Sequence, residues 1–172
     1  MTAVSGSVYT AAQFNTFVRD NLNETAPAKA STVGSYFVTT SLNQISERVG
    51  ARQTIATSET TISTSYDDLA TVGPTVTVDT SSLALVIWGC ESSNSGTFSA
   101  RTSVDVTGAS AIAAADIRAL AHFGLTAGGE IQASHAVFYD DLTPGSNTFT
   151  LKYRVGGGTG TFSRRRLIVL PY

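Results

Sequence analysis

Two rhythms of apolar and polar residues run along this chain. From Tyr9 to Leu22 (YTAAQFNTFVRDNL), Phe14, Phe17, Val18 and Leu22 fall at i, i+3, i+4 and i+8. That spacing predicts a short helix with those four on one face and Arg19, Asp20, Asn23 and Glu24 largely elsewhere. Its start is marked twice, because Thr10 is placed to cap the first turn while Gln13 reaches back to the N–H of the cap, and Tyr9 can staple onto Phe14. Pro27 ends the helix, and residues 25–34 (TAPAKASTVG) read as a linker without period. A helix this short is marginal alone in water, so its apolar face needs a partner. The partner is either its own domain or a larger assembly, in which case Tyr9, Phe14, Phe17, Val18, Arg19 and Leu22 form an anchoring or oligomer interface.

Beyond the linker the rhythm changes to that of strands. Residues 36–40 and 45–49 predict a short ribbon or connecting segment within 35–53, and the Thr/Ser-rich run 54–65 an edge strand or a tether. Val76 and Val78 alternate with Thr75 and Thr77. Residues 83–90 (LALVIWGC) are apolar on both faces, as in a central strand covered on two sides. Phe98 and every second residue to Val106 share one side of the next strand. Residues 109–121 read as a loop followed by a strand over 117–123. Ile131, Ala133, His135, Val137 and Tyr139 then share a side, and past the Pro144-Gly145 turn Phe149, Leu151, Tyr153 and Val155 point inward against Thr148, Thr150, Lys152 and Arg154. Residues 161–170 supply the return strand. About eight strands with turn signals and no intervening helix predict a mainly β chain, an antiparallel β-sandwich of jelly-roll type over 54–172, preceded by the amphipathic helix and linker of 1–34.

Composition narrows the function. Charged residues make up only 14% of the 172, and the net charge is −2. That balance gives no general attraction to nucleic acid or to an anionic membrane, and a surface so poor in charge suggests contacts between chains. Cys90 is alone, so neither an intrachain disulfide nor a cysteine metal cage is expected. The polar start MTAVSGSVYT lacks the features of a secretory leader, and no apolar run is long enough to span a bilayer.

Catalytic chemistry is not expected. None of the common nucleophile, zinc or phosphate-loop motifs occurs, and the glycines of 156–160 (GGGTG) are followed by no lysine. His122 and His135 sit among apolar neighbours and read as core or interface residues. The pairs Asp67-Asp68 and Asp140-Asp141 carry oxygens suited to Ca²⁺ but lack the spacing of a ligand loop, which leaves them as turn residues. Trp88 and Tyr36 have faces that suit a sugar, yet Trp88 lies in the most apolar strand. In the one basic run, alternation puts Arg164 and Arg166 on a shared face and Arg165 beside Leu167 and Val169. Arg164 and Arg166 are therefore candidates for a solvated strand end, intersubunit salt bridges or contact with an anionic glycan.

The string TAAQFNTFVRDNLNETAPAKA, with Asn15 and Arg19-Asp20-Asn21-Leu22, followed by a strand ending in Ile45-Ser-Glu-Arg48, resembles a segment of virion proteins from tailed phages of actinobacteria, of the minor tail or surface decoration type. Residues 64–78 and 142–155 resemble the β domain that accompanies it. The resemblance implies a non-enzymatic virion structural protein, assembled in the host cytoplasm, with no cofactor and no catalytic residues to carry over. It implies a homotrimer that joins other virion proteins on the capsid or tail, helix as anchor and sandwich exposed. A glycan-binding module for host recognition is the alternative.

Overall fold

The strand rhythm of the sequence is realised as three antiparallel sheets in a computed structural model that describes residues 8, 10–23, 25, 29–42, 44–123 and 126–172. The chain divides into two units, Met1–Val49 and Gly50–Tyr172. In the first, an α-helical turn Ala11–Phe14, a π-helical stretch Asn15–Arg19 and a closing turn Asp20–Asn23 run on as one helix, α1. A ribbon follows, β1 (Tyr36–Ser41) against β2 (Gln44–Arg48), with Phe37 opposite Glu47. Its strands lie where β-rich residues were expected.

The second unit contains β3 (Ala51–Ile55), β4 (Glu59–Thr61), β5 (Thr75–Thr80), β6 (Ala84–Asn94), β7 (Ala100–Gly108), β8 (Leu120–His122), β9 (Ile131–Tyr139), β10 (Gly145–Val155) and β11 (Gly160–Pro171). Its pairings are nested. β7 pairs β8, β6 pairs β9, β5 pairs β10 and β3 pairs β11, as in one long ribbon doubled back at the β7–β8 turn. Rolling that ribbon up adds the pairs β6–β11 and β7–β10. The result is two sheets, β5-β10-β7-β8 and β3-β11-β6-β9, with β4 an extra edge segment on β11. This is a jelly-roll β-sandwich.

Alternation explains the core. Phe149, Leu151, Tyr153 and Val155 of β10 are fully buried and face Trp88, Val86, Phe162, Leu167 and Val169 from the other sheet, while Thr148, Thr150, Lys152 and Arg154 turn outward. The Trp88 indole N–H donates across to the Thr102 hydroxyl at 3.2 Å, which satisfies its one polar atom. Asn147, also fully buried, accepts from the Ser110 amide at 2.7 Å and donates to the Thr80 hydroxyl at 2.8 Å, tying three segments together. At Gly108 the chain turns with φ +106° against the Ser146 carbonyl, a conformation and a clearance open only to glycine.

Three expectations change. β6 is central, and its inner side (Ala84, Val86, Trp88, Cys90) is buried; on the outer side of the sheet Gly89 is covered but the large side chains Leu85 and Ile87 lie half-buried. A run apolar on both faces therefore marks a strand whose second face is apolar without being enclosed. Phe98 precedes β7 and is exposed, lying over the backbone at Gly157. The 109–121 stretch is a loop and a strand as expected, but the strand is only Leu120–His122 because a 3-10 turn, Asp116–Arg118, occupies its predicted start.

Candidate functional site

Three places in the molecule hold side chains placed for contact. The first is α1. The Thr10 hydroxyl accepts from the Gln13 amide at 3.2 Å and the Gln13 side chain accepts from the Thr10 amide at 3.1 Å, the reciprocal cap expected from the sequence. The helix closes with the Thr25 hydroxyl donating to the Leu22 carbonyl at 2.7 Å. Within it, hydrogen bonds of the i→i+5 kind widen the turn over Asn15–Arg19, so Phe17 and Leu22 come nearer alignment than five residues of α-helix would bring them. Phe14, Phe17 and Leu22 remain 52%, 44% and 61% exposed; Val18 is half-buried, and Arg19 forms a local ion pair with Asp20 at 2.8 Å. Tyr9, Glu24 and Pro27, named for the staple, the polar side and the stop, lie outside the described residues.

In the same unit Glu47 gathers the turn before β1. Its carboxylate accepts from the Ser31 hydroxyl, from the amides of Ser31 and Thr32 at 2.9 and 2.8 Å, and from the Ser35 hydroxyl at 2.6 Å. Those donors, the Ser31 hydroxyl foremost, hold its pKa down at about 2.

The second place is the arginine run on β11. Up to Phe162 the even-numbered residues face inward; from Arg165 the odd-numbered ones do. The switch is made by a bulge at which the register to β6 slips between Ser163 and Arg166, with Arg164 at φ 49°. Arg165 enters the core completely, its guanidinium 3.1 Å from Glu59, 3.3 Å from the carbonyls of Thr57 and Thr71, and 5.6 Å from the centre of the Tyr153 ring. Hydrogen bonds from Thr71 and the charge of Arg165 hold Glu59 below the usual carboxylate range against the opposing effect of burial. Arg164 and Arg166 point outward as alternation indicates. Arg164 reaches Glu91 at 3.0 Å, and with Arg52 the two border a depression of about 350 Å³ that also includes Thr54 and Ile168. Among the described residues no acidic group pairs with Arg52 or Arg166. Sequence reasoning placed Arg165 on the correct side but missed its ion pair, because Glu59 is distant in the chain and sat in a run read as edge or tether.

The third place is a cavity of about 260 Å³ between the sheets, where the edge strands β8 and β9 face each other. Elsewhere Trp88, Phe149 and Leu151 fill the gap between layers; here the small side chains of Ala100 and Ala133 leave it open. Its walls also include Thr102, Leu120, Phe123, Ile131 and Phe162. His122 lines it with Nδ1 3.2 Å from the Ser92 hydroxyl, while its Nε2 is shielded from solvent and has no partner. Burial lowers the pKa of His122 and pushes the Cys90 thiol, on the same wall, up to about 12. His135, by contrast, stacks edge-on to Trp88 with ring centres 5.0 Å apart.

The acidic pairs are engaged in turns and bridges. The Asp67 carboxylate accepts from the Asp68 amide at 2.9 Å and Asp68 pairs with Lys152 at 2.6 Å. Asp140 and Asp141 are exposed in the turn after β9, and among the described residues no three acidic, histidine or cysteine side chains converge on one point.

No protein-family model and no curated protein matches the chain. Solved structures of infectious bursal disease virus do. The VP2 subviral particle matches at 12% identity with a TM-score of 0.47, over 78% of this chain and 37% of its own. The Gx strain structure matches at 12% identity and 0.45, over 78% and 36%, and the Gt strain structure at 14% and 0.45, over 71% and 32%. The chain thus spans about a third of the length of those proteins.

Proposed function

We propose that this protein is a non-enzymatic structural component of a bacteriophage virion, displayed on the particle surface as a minor tail or fibre component or as a capsid decoration. The observation that carries the reading is α1: a helix capped at its start that leaves Phe14, Phe17 and Leu22 exposed, in a unit distinct from the sandwich. Apolar rings held in a fixed array without cover are what a helix-in-groove anchor offers its acceptor. The acceptor is another virion protein, on capsid or tail, and the sandwich is the displayed part, assembled as a homotrimer. The string from Thr10 to Ala30 and its resemblance to phage virion proteins point the same way.

The test is a double variant, Phe14→Ala with Phe17→Ala, offered to assembling particles. The expected result is an unchanged melting transition of the sandwich and loss of the protein from purified particles; particles that carry the variant at the normal level would overturn the anchor.

One observation favours a second reading, recognition of an anionic glycan of the host wall. Arg52 and Arg166 sit beside a surface depression without an acidic partner among the described residues, which suits a polymer bearing carboxylates or phosphates. If glycan binding by the sandwich is the whole function, the same double variant joins particles as the unaltered protein does.

A further inference from the structure

The void beside β8 and β9 differs from a packing fault. A cavity lined only by aliphatic groups stays dry, and about 150 Å³ is enough to hold benzene. This one has about 260 Å³, room for one or two rings, below the size of most drug-sized ligand pockets. It also contains a polar atom with unmet demand. A buried ring nitrogen without a hydrogen bond is costly, and most such atoms in folded proteins are paired.

We propose that the cavity is a binding site for a small one- or two-ring molecule carrying a single hydroxyl, with the rings between Ala100 of β7 and Ala133 of β9 and the hydroxyl on His122 Nε2. The hydroxyl follows from the geometry of the imidazole. Nδ1 is taken by Ser92 at 3.2 Å. If the serine hydroxyl donates there, Nε2 carries the proton and donates to the ligand; in the other tautomer Nε2 accepts. A hydroxyl satisfies either arrangement, because it both donates and accepts. A carboxylate does not suit the site, since its attraction needs a charged imidazole and burial lowers the pKa of His122. The absence of large side chains from Ala100 and Ala133 sets the shape, and the high pKa of Cys90 keeps that wall an uncharged thiol.

The site lies between the two sheets and uses none of the residues assigned to anchoring. It is therefore independent of how the protein is attached to a particle. The probe is 2-naphthol, titrated into the full chain by calorimetry, with amide NMR shifts reporting location. Saturable one-to-one binding is expected, with shifts centred on β8 and the start of β9. Ala133→Phe fills the cavity and should abolish binding with the melting temperature kept or raised. His122→Phe keeps the volume and removes the hydrogen bond, and should weaken 2-naphthol about tenfold, the ratio that corresponds to about 1.4 kcal/mol. Should Ala133→Phe prove unfolded by circular dichroism, Ala133→Leu serves in its place. No saturable heat up to the solubility of the probe, shifts located elsewhere, or equal binding by the cavity-filled variant would each overturn the proposal.

Discussion

On the outer face of the four-stranded sheet the hydroxyls of Thr77 and Thr148 lie 2.8 Å apart and those of Thr75 and Thr150 3.3 Å apart, Lys152 meets Asp68 at 2.6 Å, and Arg154 meets Asp116 at 2.7 Å. On the outer face of the five-stranded sheet the cross-strand rows are Phe138, Leu85 and Leu170, then Ala136, Ile87, Ile168 and Arg52, then Ser134, Gly89, Arg166 and Thr54. The first face pairs its polar groups within the chain, as a surface turned to water does. The second sets apolar side chains beside arginines, the composition of an interface core with a charged rim. The same period-2 strands built both faces, so their difference lies in the residues set at the outward positions.

The severest way to break the contrast is to disturb the bulge that sorts the arginines. Arg165→Ala removes the counter-charge from Glu59, a carboxylate only 13% exposed that would keep just its hydrogen bonds from Thr71, and should cost about 3–5 kcal/mol in urea unfolding. Replacing both partners, Arg165→Met with Glu59→Leu, should recover most of that loss. A single variant within about 1 kcal/mol of the parent would show that the pair holds nothing in place.

A change of intermediate size probes the apolar face itself. Ile87→Glu lies outside the core and should alter the stability of the isolated sandwich by no more than about 1 kcal/mol, yet disperse a homotrimer into particles near 17.9 kDa in light scattering. A trimer that survives the substitution would remove this face from the interface, and a parent protein that is monomeric at every concentration would remove the trimer.

The smallest effect belongs to the polar face. Burial raises the pKa of Asp116, but hydrogen bonds from Tyr66 and Arg101 and the charge of Arg154 outweigh it and hold the group below its ordinary 3.8. A depressed carboxylate contributes stability that is complete above its unfolded pKa and is lost as pH falls through the folded one. Asp116→Asn should therefore unfold at slightly lower urea at neutral pH, by less than about 1 kcal/mol since the carboxylate is half exposed, and the gap should close as pH falls below 3.8. A gap that persists in acid would mean that the asparagine disturbs packing.

Much of the sandwich could be read in advance because alternation is local. Phe149 to Val155 and Ile131 to Tyr139 declare their inner faces within nine residues or fewer, and Thr10 with Gln13 declares a helix start within four. The sites were less legible. The exposure of Phe14 and Phe17 depends on what does not cover them, and the cavity depends on small residues of separate strands, Ala100 of β7 and Ala133 of β9, that no window of sequence shows together.

The sequence by itself determined the kinds of element, their inward sides and the position of the helix cap, since each follows from steric and hydrophobic preferences over a few neighbouring residues. Only the tertiary structure decided the nested pairing, the bulge at Arg164 that admits Arg165 to Glu59, and the open volume beside His122. Those depend on which distant segments meet, and contacts at long separation are set by the packing of the whole sandwich.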